Sequence, residues 1–382
     1  MDRRCAVVGV AESEFGTVPH KTAFQLQVDA ATAALEDSGL RRDDIDGLFS
    51  CGGPMMYPLE LGEYLGISPR YIDSTQVGGS TWELFVQHAV AALQVGQIEV
   101  ALLVYGSTAK SDLKRGVRFG DMPPAGRGPG QFENVHGPTL ISKYAMAAMR
   151  HMHEFGTTSE QLAQVSVDTR YNASLNPLAT YRDLITVEDV LNSRMIADPL
   201  HLLDCCIRSD GGGAVILTTE ERARSCRKRP VWVLGTAGAQ SHLSMSQWPD
   251  FTDLVARRSA AEALAKAGVG ITDIDVFELY DSFTITVLLT LEALGLCGRG
   301  ESGAFVMDGK LRVDGAMPTN TDGGGLSCNQ PGMRGLFLLI EAARQLRGEA
   351  GERQVQPRPE LALCNGTGGY LSSCGTVVLG VD

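Results

Sequence analysis

The stretch ALEDSGLRRDDID at residues 34–46 has a near copy, ALAKAGVGITDID, at residues 263–275. Each copy has an Ala-Leu pair near the end of a helical pattern, a glycine that stops the helix, a short turn, and an Asp-Ile-Asp triplet before a strand. The two copies stand at a constant offset of 229 residues. A unit that recurs in one chain predicts a duplicated fold.

The two copies continue differently, and the difference points to the chemistry. After the first copy the strand reads GLFSC at residues 47–51, whereas after the second it reads VFELYDSF at residues 276–283. Strand ends are where open α/β sheets place their ligands, so we expect reactive groups at Tyr280. Asp281 should face away from Tyr280 if the strand continues, and it should orient a neighbouring loop.

Strands and helices alternate along both halves, which predicts an α/β sheet with helices on both faces. We expect an N-terminal half at residues 1–225, with an insertion at 107–200 that shapes a pocket, and a C-terminal half at residues 226–382. The insertion has Pro-Gly clusters around residues 122–130 and no counterpart in the second half. The predicted strands lie at 5–10, 45–49, 100–105, within 209–217, and at 231–235, 274–280, 361–364 and 376–381. The predicted helices lie at 21–38, 80–96, 140–152, 159–170, 259–267 and 332–347.

Composition excludes several classes of protein. The 382-residue chain is 44% hydrophobic and 20% charged, so it can bury a large core. Its net charge of -12 argues against a nucleic-acid partner, because phosphate-binding surfaces need clustered Lys and Arg. No apolar run reaches the roughly 20 residues that a membrane span needs. Nine cysteines without a CxxC spacing argue against a disulfide framework and a structural zinc site, and they favour a cytoplasmic protein.

A second sharp turn lies at residues 76–83, QVGGSTWE. Ser80, followed three residues later by Glu83, predicts a capping box and a helix that runs from Ser80 to Gly96. The preceding glycines allow the backbone to turn from strand into helix, so Gly79 stands next to a helix N-terminus. Free N–H groups and the helix dipole suit such a position to a carbonyl oxygen or an oxyanion.

Several motifs resemble those of the thiolase superfamily, and within it the sterol carrier protein thiolase branch. They are DVLNSR at residues 189–194, LDCC at 203–206 and SDG at 209–211, and the resemblance extends along essentially the whole chain. It implies a duplicated, five-layered α-β-α-β-α thiolase fold, which is normally assembled as a homodimer.

The catalytic positions depart from the thiolase pattern. Counting back from the helix-ending Gly96 places Gly79 where a thiolase carries its nucleophilic cysteine, and Gln330 stands where a thiolase carries the histidine of Gly-His-Pro. Thiolysis needs an activated thiolate and a second base, and neither stands at these positions. The resemblance therefore implies a thioester-binding pocket without the acyl-transfer machinery.

Two added tyrosines, Tyr280 and Tyr370, make the chain resemble the lipid-transfer-protein aldolases of this superfamily. That resemblance implies retro-aldol cleavage of a β-hydroxyacyl-CoA, a 17-hydroxy steroid side-chain thioester, into a ketosteroid and propionyl-CoA, with the two tyrosines as acid and base. It implies no cofactor other than the coenzyme A of the substrate, no metal in this chain, and a small OB-fold acyl-CoA-binding partner that often carries zinc. The residues expected to hold the substrate's oxygen are Gly79, Gln330, Gly368 and Gly369.

The same residues allow other interpretations. Tyr280 can be a core residue packed beneath the insertion, and Tyr370 can simply cover its glycine-rich loop. Gln330 can donate to the thioester oxygen or cap a helix that begins near residue 332. Cys364 can be a buried small hydrophobe or the thiol of a degenerate thiolase. The whole chain can also be a non-catalytic acyl-CoA-binding subunit.

Overall fold

A computed structural model describes residues 3–116 and 128–382, so most of the predicted Pro-Gly cluster at 122–130 lies outside the described residues. The strands are β1 Cys5–Glu12, β2 Gly47–Phe49, β3 Tyr71–Asp73, β4 Val100–Ser107, β5 Met195–Ala197, β6 Leu200–His201, β7 Gly211–Thr219, β8 Val231–Gln240, β9 Val276–Leu279, β10 Leu361–Gly368 and β11 Ser373–Gly380. The helices are α1 Ala23–Ser38, α2 Tyr57–Leu65, α3 Thr81–Gln94, α4 Ala109–Lys114, α5 Gly130–Asn134, α6 Leu140–Phe155, α7 Ser159–Ser174, α8 Val187–Asn192, α9 Glu220–Ala223, α10 Ala256–Ala267, α11 Thr284–Leu294, α12 Ser302–Phe305 and α13 Gly335–Arg347. None of these helices has the length and apolarity needed to span a bilayer.

Nine of the strands form one mixed sheet in the order β3-β2-β4-β7-β1-β8-β11-β10-β9. In the first half β2 and β4 are parallel, and β7 is antiparallel to both β4 and β1. The second half repeats this arrangement, because β9 and β10 are parallel and β11 is antiparallel to both β10 and β8. Strands β1 and β8 join the halves through the pairs of Ala6 with Trp232 and of Val7 with Val231. The strand order confirms the predicted duplication.

Helices fill the space between the two half-sheets and cover their outer sides. Helices α3 and α13 contact each other and strands of both halves, so they form the central layer. Helix α1 packs on β1, β4 and β7 on one outer side, and α10 packs on β8 and β11 on the other. Trp82, Phe85 and Phe337 are buried in the central layer. The result is the five-layered α-β-α-β-α arrangement expected from the sequence.

The repeated segments end their helices in the same way. Helix α1 stops at Gly39 and α10 stops at Gly268, with φ of 76° and 71°. Glycine adopts this left-handed conformation without steric cost, which explains why both copies place a glycine there. Short 3-10 helices at Arg42–Asp44 and Ile271–Asp273 follow, and β2 and β9 come next. Local sequence therefore dictates the same helix–turn–strand unit twice.

The structure differs from the sequence-based expectation in several features, among them β8, which runs to Gln240 instead of ending at residue 235. Helix α11 is buried along its whole length, so it has neither a polar face nor the helical period by which a helix is recognised. The helix predicted from residue 332 begins at Gly335, and a π-helix at Gly324–Cys328 precedes it. Strand β10 continues to Gly368 instead of ending at residue 364. As a result, the glycine-rich loop after β10 begins beyond the end of the parallel strand β9.

Candidate active site

Tyr280 lies directly after β9 and is buried, with 5% of its surface exposed. Its backbone N–H donates to the carbonyl of Asn365 on β10 at 2.9 Å. Its phenol oxygen accepts two hydrogen bonds, from Gln330 Nε2 at 2.9 Å and from the backbone N–H of Arg334 at 3.3 Å. Neither bond uses the phenol's own proton, so the hydroxyl keeps its capacity to donate. Desolvation raises the pKa of Tyr280 well above its ordinary value.

Gly79 lies against the ring of Tyr280. A Cβ at position 79 would stand 2.1 Å from Cε2 of Tyr280 and 2.5 Å from the carbonyl oxygen of Thr367. No side chain fits there, so glycine is what allows the turn before α3 to approach both Tyr280 and β10. The phenol ring occupies the space that a side chain at residue 79 would need.

The last residue of β10, Gly368, and the loop that follows it pack on the same turn. A Cβ at Gly368 would lie 1.9 Å from the carbonyl oxygen of Val77, and one at Gly78 would lie 2.9 Å from the backbone nitrogen of Gly369. Tyr370 comes next in the chain and is half-buried. The structure therefore brings five of the predicted site residues into one patch that Tyr370 adjoins, namely Gly79, Tyr280, Gln330, Gly368 and Gly369.

Asp281 holds a neighbouring loop, as predicted, although strand β9 ends at Leu279 and does not continue through Asp281. Its carboxylate accepts the backbone N–H groups of Gly325 and Leu326 in the π-helix, at 2.7 and 3.0 Å. The guanidinium of Arg334 lies 3.6 Å from Asp281, and both side chains are fully buried. Desolvation raises the pKa of Asp281 to about 6, although Arg334 and the two amides act in the opposite direction.

Comparison with known proteins identifies the family. Residues 237–381 match the sequence family described as thiolase C-terminal domain-like. An acetyl-CoA acetyltransferase of Methanothermobacter thermautotrophicus is 35% identical over 96% of this chain and 97% of its own length. A steroid side-chain-cleaving aldolase of Thermomonospora curvata is 34% identical over 90% of each chain. The chain belongs to the thiolase superfamily. As predicted, its branch is that of the sterol carrier protein thiolases.

A solved structure shows the same architecture. The structure of an Ltp2-ChsH2 (DUF35) aldolase is 32% identical to this chain, covers 99% of it and 98% of the compared chain, and superposes with a TM-score of 0.88. This similarity confirms the duplicated thiolase fold over essentially the full length of the sequence.

The capping box predicted at Ser80 and Glu83 is wrong for this thiolase-fold chain. Ser80 has helical backbone angles, φ -74° and ψ -4°, and makes no side-chain cap. Its hydroxyl instead bonds Oγ of Ser373 at 2.8 Å. Glu83 turns into the central layer, where a Cβ at Gly366 would lie only 2.0 Å from its Oε2. Packing between the half-sheets therefore decides the direction of this side chain, and the local spacing does not.

The Glu83 carboxyl should make stability depend on pH. Both of its oxygens are buried without a hydrogen-bond partner among the described residues. Desolvation raises the pKa of Glu83 to about 8, whereas a glutamate in an unfolded chain titrates near about 4.3. Between these two values the unfolded chain loses the proton that the folded chain keeps. Stability therefore falls as pH rises through this window, by about 1.4 kcal/mol per pH unit, and the loss is complete above the folded pKa.

Glu83→Gln removes this titration and is expected to stabilise the protein by about 2 to 4 kcal/mol at pH 7.5, with a much smaller gain near pH 5. Urea unfolding of parent and variant between pH 5 and pH 8.5 measures the difference. Glu99→Gln serves as the control, because Glu99 is 57% exposed and pairs with Arg222 at the surface. A gain of the same size at every pH would show that Glu83 does not titrate in this range.

Two of the alternative interpretations lose support from the geometry. The thiol of Cys364 is fully buried and lies 3.6 Å from the carbonyl oxygen of Leu338 in α13. Desolvation raises the pKa of Cys364 well above its ordinary value, and a protonated thiol is a poor nucleophile. Gln330 does not cap a helix, since α13 begins only at Gly335 and the Gln330 amide donates to Tyr280.

Three side chains that sequence reasoning missed reach the loop that carries Tyr370. The phenol of Tyr144 donates to the carbonyl of Gly369 at 3.3 Å. The ammonium of Lys143 lies 3.6 Å from the ring centroid of Tyr370, and Nε2 of His242 lies 3.2 Å from the Tyr370 carbonyl oxygen. These contacts join segments far apart in the chain, separated by 225 residues for Tyr144 and 128 for His242. No local sequence pattern predicts contacts between segments so far apart in the chain.

Proposed function

We propose that the protein cleaves a β-hydroxyacyl-CoA by a retro-aldol step, and that its substrate is a 17-hydroxy steroid side-chain thioester. The products would be a ketosteroid and propionyl-CoA. The chain is accordingly a carbon–carbon lyase acting on acyl-CoA, as are the aldolases to which it is similar. The observation that carries the proposal is the buried phenol of Tyr280 packed on Gly79, in the place where acyl transfer would need a thiolate.

The reaction needs a base and an acid but no covalent intermediate. The base takes the proton of the β-hydroxyl group, whose oxygen becomes a carbonyl oxygen as the adjacent carbon–carbon bond breaks. The electron pair of that bond moves onto the thioester, which becomes an enolate. The acid then gives a proton to the α-carbon of the enolate and releases propionyl-CoA. A positioned proton-transfer group typically contributes about 10² to 10⁴ to the rate of such a step.

Tyr280 is the acid in this proposal. Desolvation raises its pKa, so the phenol carries its proton at neutral pH. The two hydrogen bonds that its oxygen accepts leave the O–H group to donate elsewhere. Tyr370, half-buried beside the patch, takes the hydroxyl proton. Backbone N–H groups and one side-chain amide stabilise the enolate oxygen; they belong to Gly79, Gln330, Gly368 and Gly369.

We further propose that the chain forms a homodimer and works with a small acyl-CoA-binding partner of the OB-fold class. Support for a partner comes from the solved aldolase, in which Ltp2 occurs together with ChsH2 (DUF35). Any zinc carried by such a partner would belong to the partner and would take no step in the chemistry described for this chain.

The test is a product assay. The chain, co-purified with its partner, is incubated with a 17-hydroxy steroid side-chain acyl-CoA, and mass spectrometry follows the ketosteroid and propionyl-CoA. We expect the two products in equal amounts, and we expect Cys364→Ala to retain this activity because the thiol takes no part. A parallel assay with acetoacetyl-CoA and free coenzyme A should yield no acetyl-CoA above background.

The same assays separate the proposal from its competitors. Thiolysis of acetoacetyl-CoA that disappears in Cys364→Ala would establish an acyl-transfer enzyme with a new nucleophile. Tight binding of the steroid thioester, with neither cleavage nor thiolysis in the presence of the partner, would establish a non-catalytic acyl-CoA-binding subunit.

A further inference from the structure

Tyr144 connects the two segments that carry the proposed proton-transfer groups. Its side chain is 5% exposed, and its phenol donates to the carbonyl of Gly369 at 3.3 Å. Its ring packs on that of Phe283, three residues beyond Tyr280, with the centroids 4.4 Å apart. One side chain of α6 therefore contacts both the loop before Tyr370 and the segment after Tyr280.

The contact with Gly369 has a direct geometric consequence for Tyr370. A peptide unit is planar, so fixing its carbonyl oxygen fixes the orientation of the whole plane. Tyr144 holds the carbonyl of the peptide that precedes the Tyr370 Cα, and His242 holds the carbonyl of the peptide that follows it. Both planes that flank this Cα are thus anchored. The direction of the Cα–Cβ bond, and with it the direction in which the phenol leaves the loop, is determined by these two anchors.

Lys143, the neighbour of Tyr144 on α6, acts on the ring itself. Its ammonium lies 3.6 Å from the centroid of the Tyr370 ring. Lys143 is only 6% exposed and pairs with Glu133 at 3.6 Å, so the cation is held in place and largely desolvated. A cation over an aromatic face is attracted more strongly when water is excluded. Helix α6 therefore holds both the backbone and the ring of Tyr370.

We propose that Tyr144 is a positioning residue of the active site, which anchors the peptide before Tyr370 and so sets the direction from which that phenol meets the substrate opposite Tyr280. The inference rests on the retro-aldol function proposed above. Tyr144 acts through Tyr370 and need not touch the substrate. Tyr144 belongs to the insertion predicted at residues 107–200, so that segment would help to position a catalytic residue in addition to shaping the pocket.

The experiment compares Tyr144→Phe with the parent chain, each in complex with the partner. Phenylalanine keeps the packing on Phe283 and removes only the hydroxyl, which leaves the carbonyl of the exposed Gly369 without the donor that fixes its peptide plane. With the steroid thioester as substrate, kcat should fall about tenfold to a hundredfold, while KM stays within about twofold. Tyr57→Phe is the matched control, because Tyr57 is also buried and its phenol oxygen accepts one hydrogen bond, from Gln27 of α1, and neither residue belongs to the patch. The control should leave kcat and KM unchanged.

Amide hydrogen exchange supplies a readout that does not depend on turnover. In Tyr144→Phe the peptide spanning residues 366–374 should exchange at least several-fold faster than in the parent, while Tyr57→Phe should exchange like the parent. Unchanged exchange in this peptide overturns the inference even if no substrate is cleaved. Unchanged kcat in Tyr144→Phe, in a preparation whose parent cleaves the thioester, overturns it while leaving the proposed function intact.

Discussion

Tyr280→Phe is expected to lower kcat for thioester cleavage by about 10² to 10⁴, with little change in KM. Phenylalanine fills the same space against Gly79, so the shape of the patch is preserved, but it carries no proton to give to the enolate. It also leaves Gln330 Nε2 and the N–H of Arg334 without the acceptor they have in the parent, at 2.9 and 3.3 Å. That defect should cost about 1 to 3 kcal/mol of stability.

The measurement is single-turnover release of propionyl-CoA by the chain with its partner, alongside a urea unfolding curve for each variant. The unfolding curve separates a loss of chemistry from a loss of folded protein. Tyr57→Phe again provides a buried phenol whose hydrogen bond, with Gln27, involves no residue of the patch, and it should retain full activity. If Tyr280→Phe were folded, bound the thioester and turned it over at the parent rate, Tyr280 would be a core residue and the retro-aldol assignment to this site would fall.

The duplication could be predicted because its signal is local. Gly39 and Gly268 each end a helix in the left-handed conformation, and each is followed by the same 3-10 turn and strand. The residues that end a helix are within a few positions of one another in the sequence. A helix end can therefore be recognised without knowing what packs around it.

The site itself could be predicted only as a set of segments. Sequence reasoning named Tyr280 and Gln330 independently, but the hydrogen bond between them spans 50 residues and joins the end of β9 to the segment after the π-helix. The role of Tyr144 could not be predicted for the same reason. Its contact with Gly369 requires α6 to pack against a segment 225 residues further along the chain. Such contacts follow from tertiary packing, which a single sequence does not spell out.

The direction of the Glu83 side chain is determined by tertiary packing and not by the local capping-box spacing. The Ser-x-x-Glu spacing at residues 80–83 is typical of a capping box, which assumes a helix start exposed to water. Here the helix start lies between two half-sheets, and the glycines at 335, 366 and 375 open a space into which the Glu83 side chain turns. Likewise α11 escaped prediction because a helix enclosed by protein needs no polar face.

Arg334→Met is the second substitution for which we expect a large effect, a destabilisation of about 3 to 5 kcal/mol. The Arg334 guanidinium is fully buried and donates to both carboxylate oxygens of Asp322, at 2.6 and 2.7 Å. It also donates to the backbone and side-chain oxygens of Asn329, at 2.9 and 2.8 Å. Methionine keeps much of the aliphatic volume but leaves Asp322 and Asp281 buried without a cation.

The size of this loss should depend on pH. Desolvation acts to raise the pKa of Asp322, but the charge of Arg334 and the hydrogen bonds from Arg334 and Gly324 together outweigh it and hold the pKa below its ordinary value. In the parent, this contribution to stability is present above the unfolded pKa of about 3.9 and is lost only as pH falls through the lower folded value. In the variant desolvation is opposed only by the Gly324 N–H and the charge of Arg353, so we expect the pKa of Asp322 to rise and stability to fall as pH increases. The deficit of the variant should therefore be larger at pH 8 than at pH 5.

Urea unfolding at these two pH values tests the prediction. Arg257→Met is the control, because Arg257 pairs with Asp253 at the surface, where both side chains are more than half exposed, and its loss should cost at most about 1 kcal/mol. Adding Asp322→Asn to Arg334→Met removes one uncompensated charge and should recover part of the lost stability. A loss below about 1 kcal/mol in the single variant, or no recovery in the double variant, would contradict the role assigned to this pair.

The double variant also separates stability from catalysis. Asp322→Asn removes a buried charge, but it cannot restore the bonds from Arg334 to Asn329, which immediately precedes Gln330 and thus helps to place the amide that contacts Tyr280. We therefore expect the double variant to regain stability while kcat for thioester cleavage stays well below that of the parent. Recovery of both quantities together would mean that Arg334 serves the fold alone, and that Gln330 and Tyr280 hold their geometry without it.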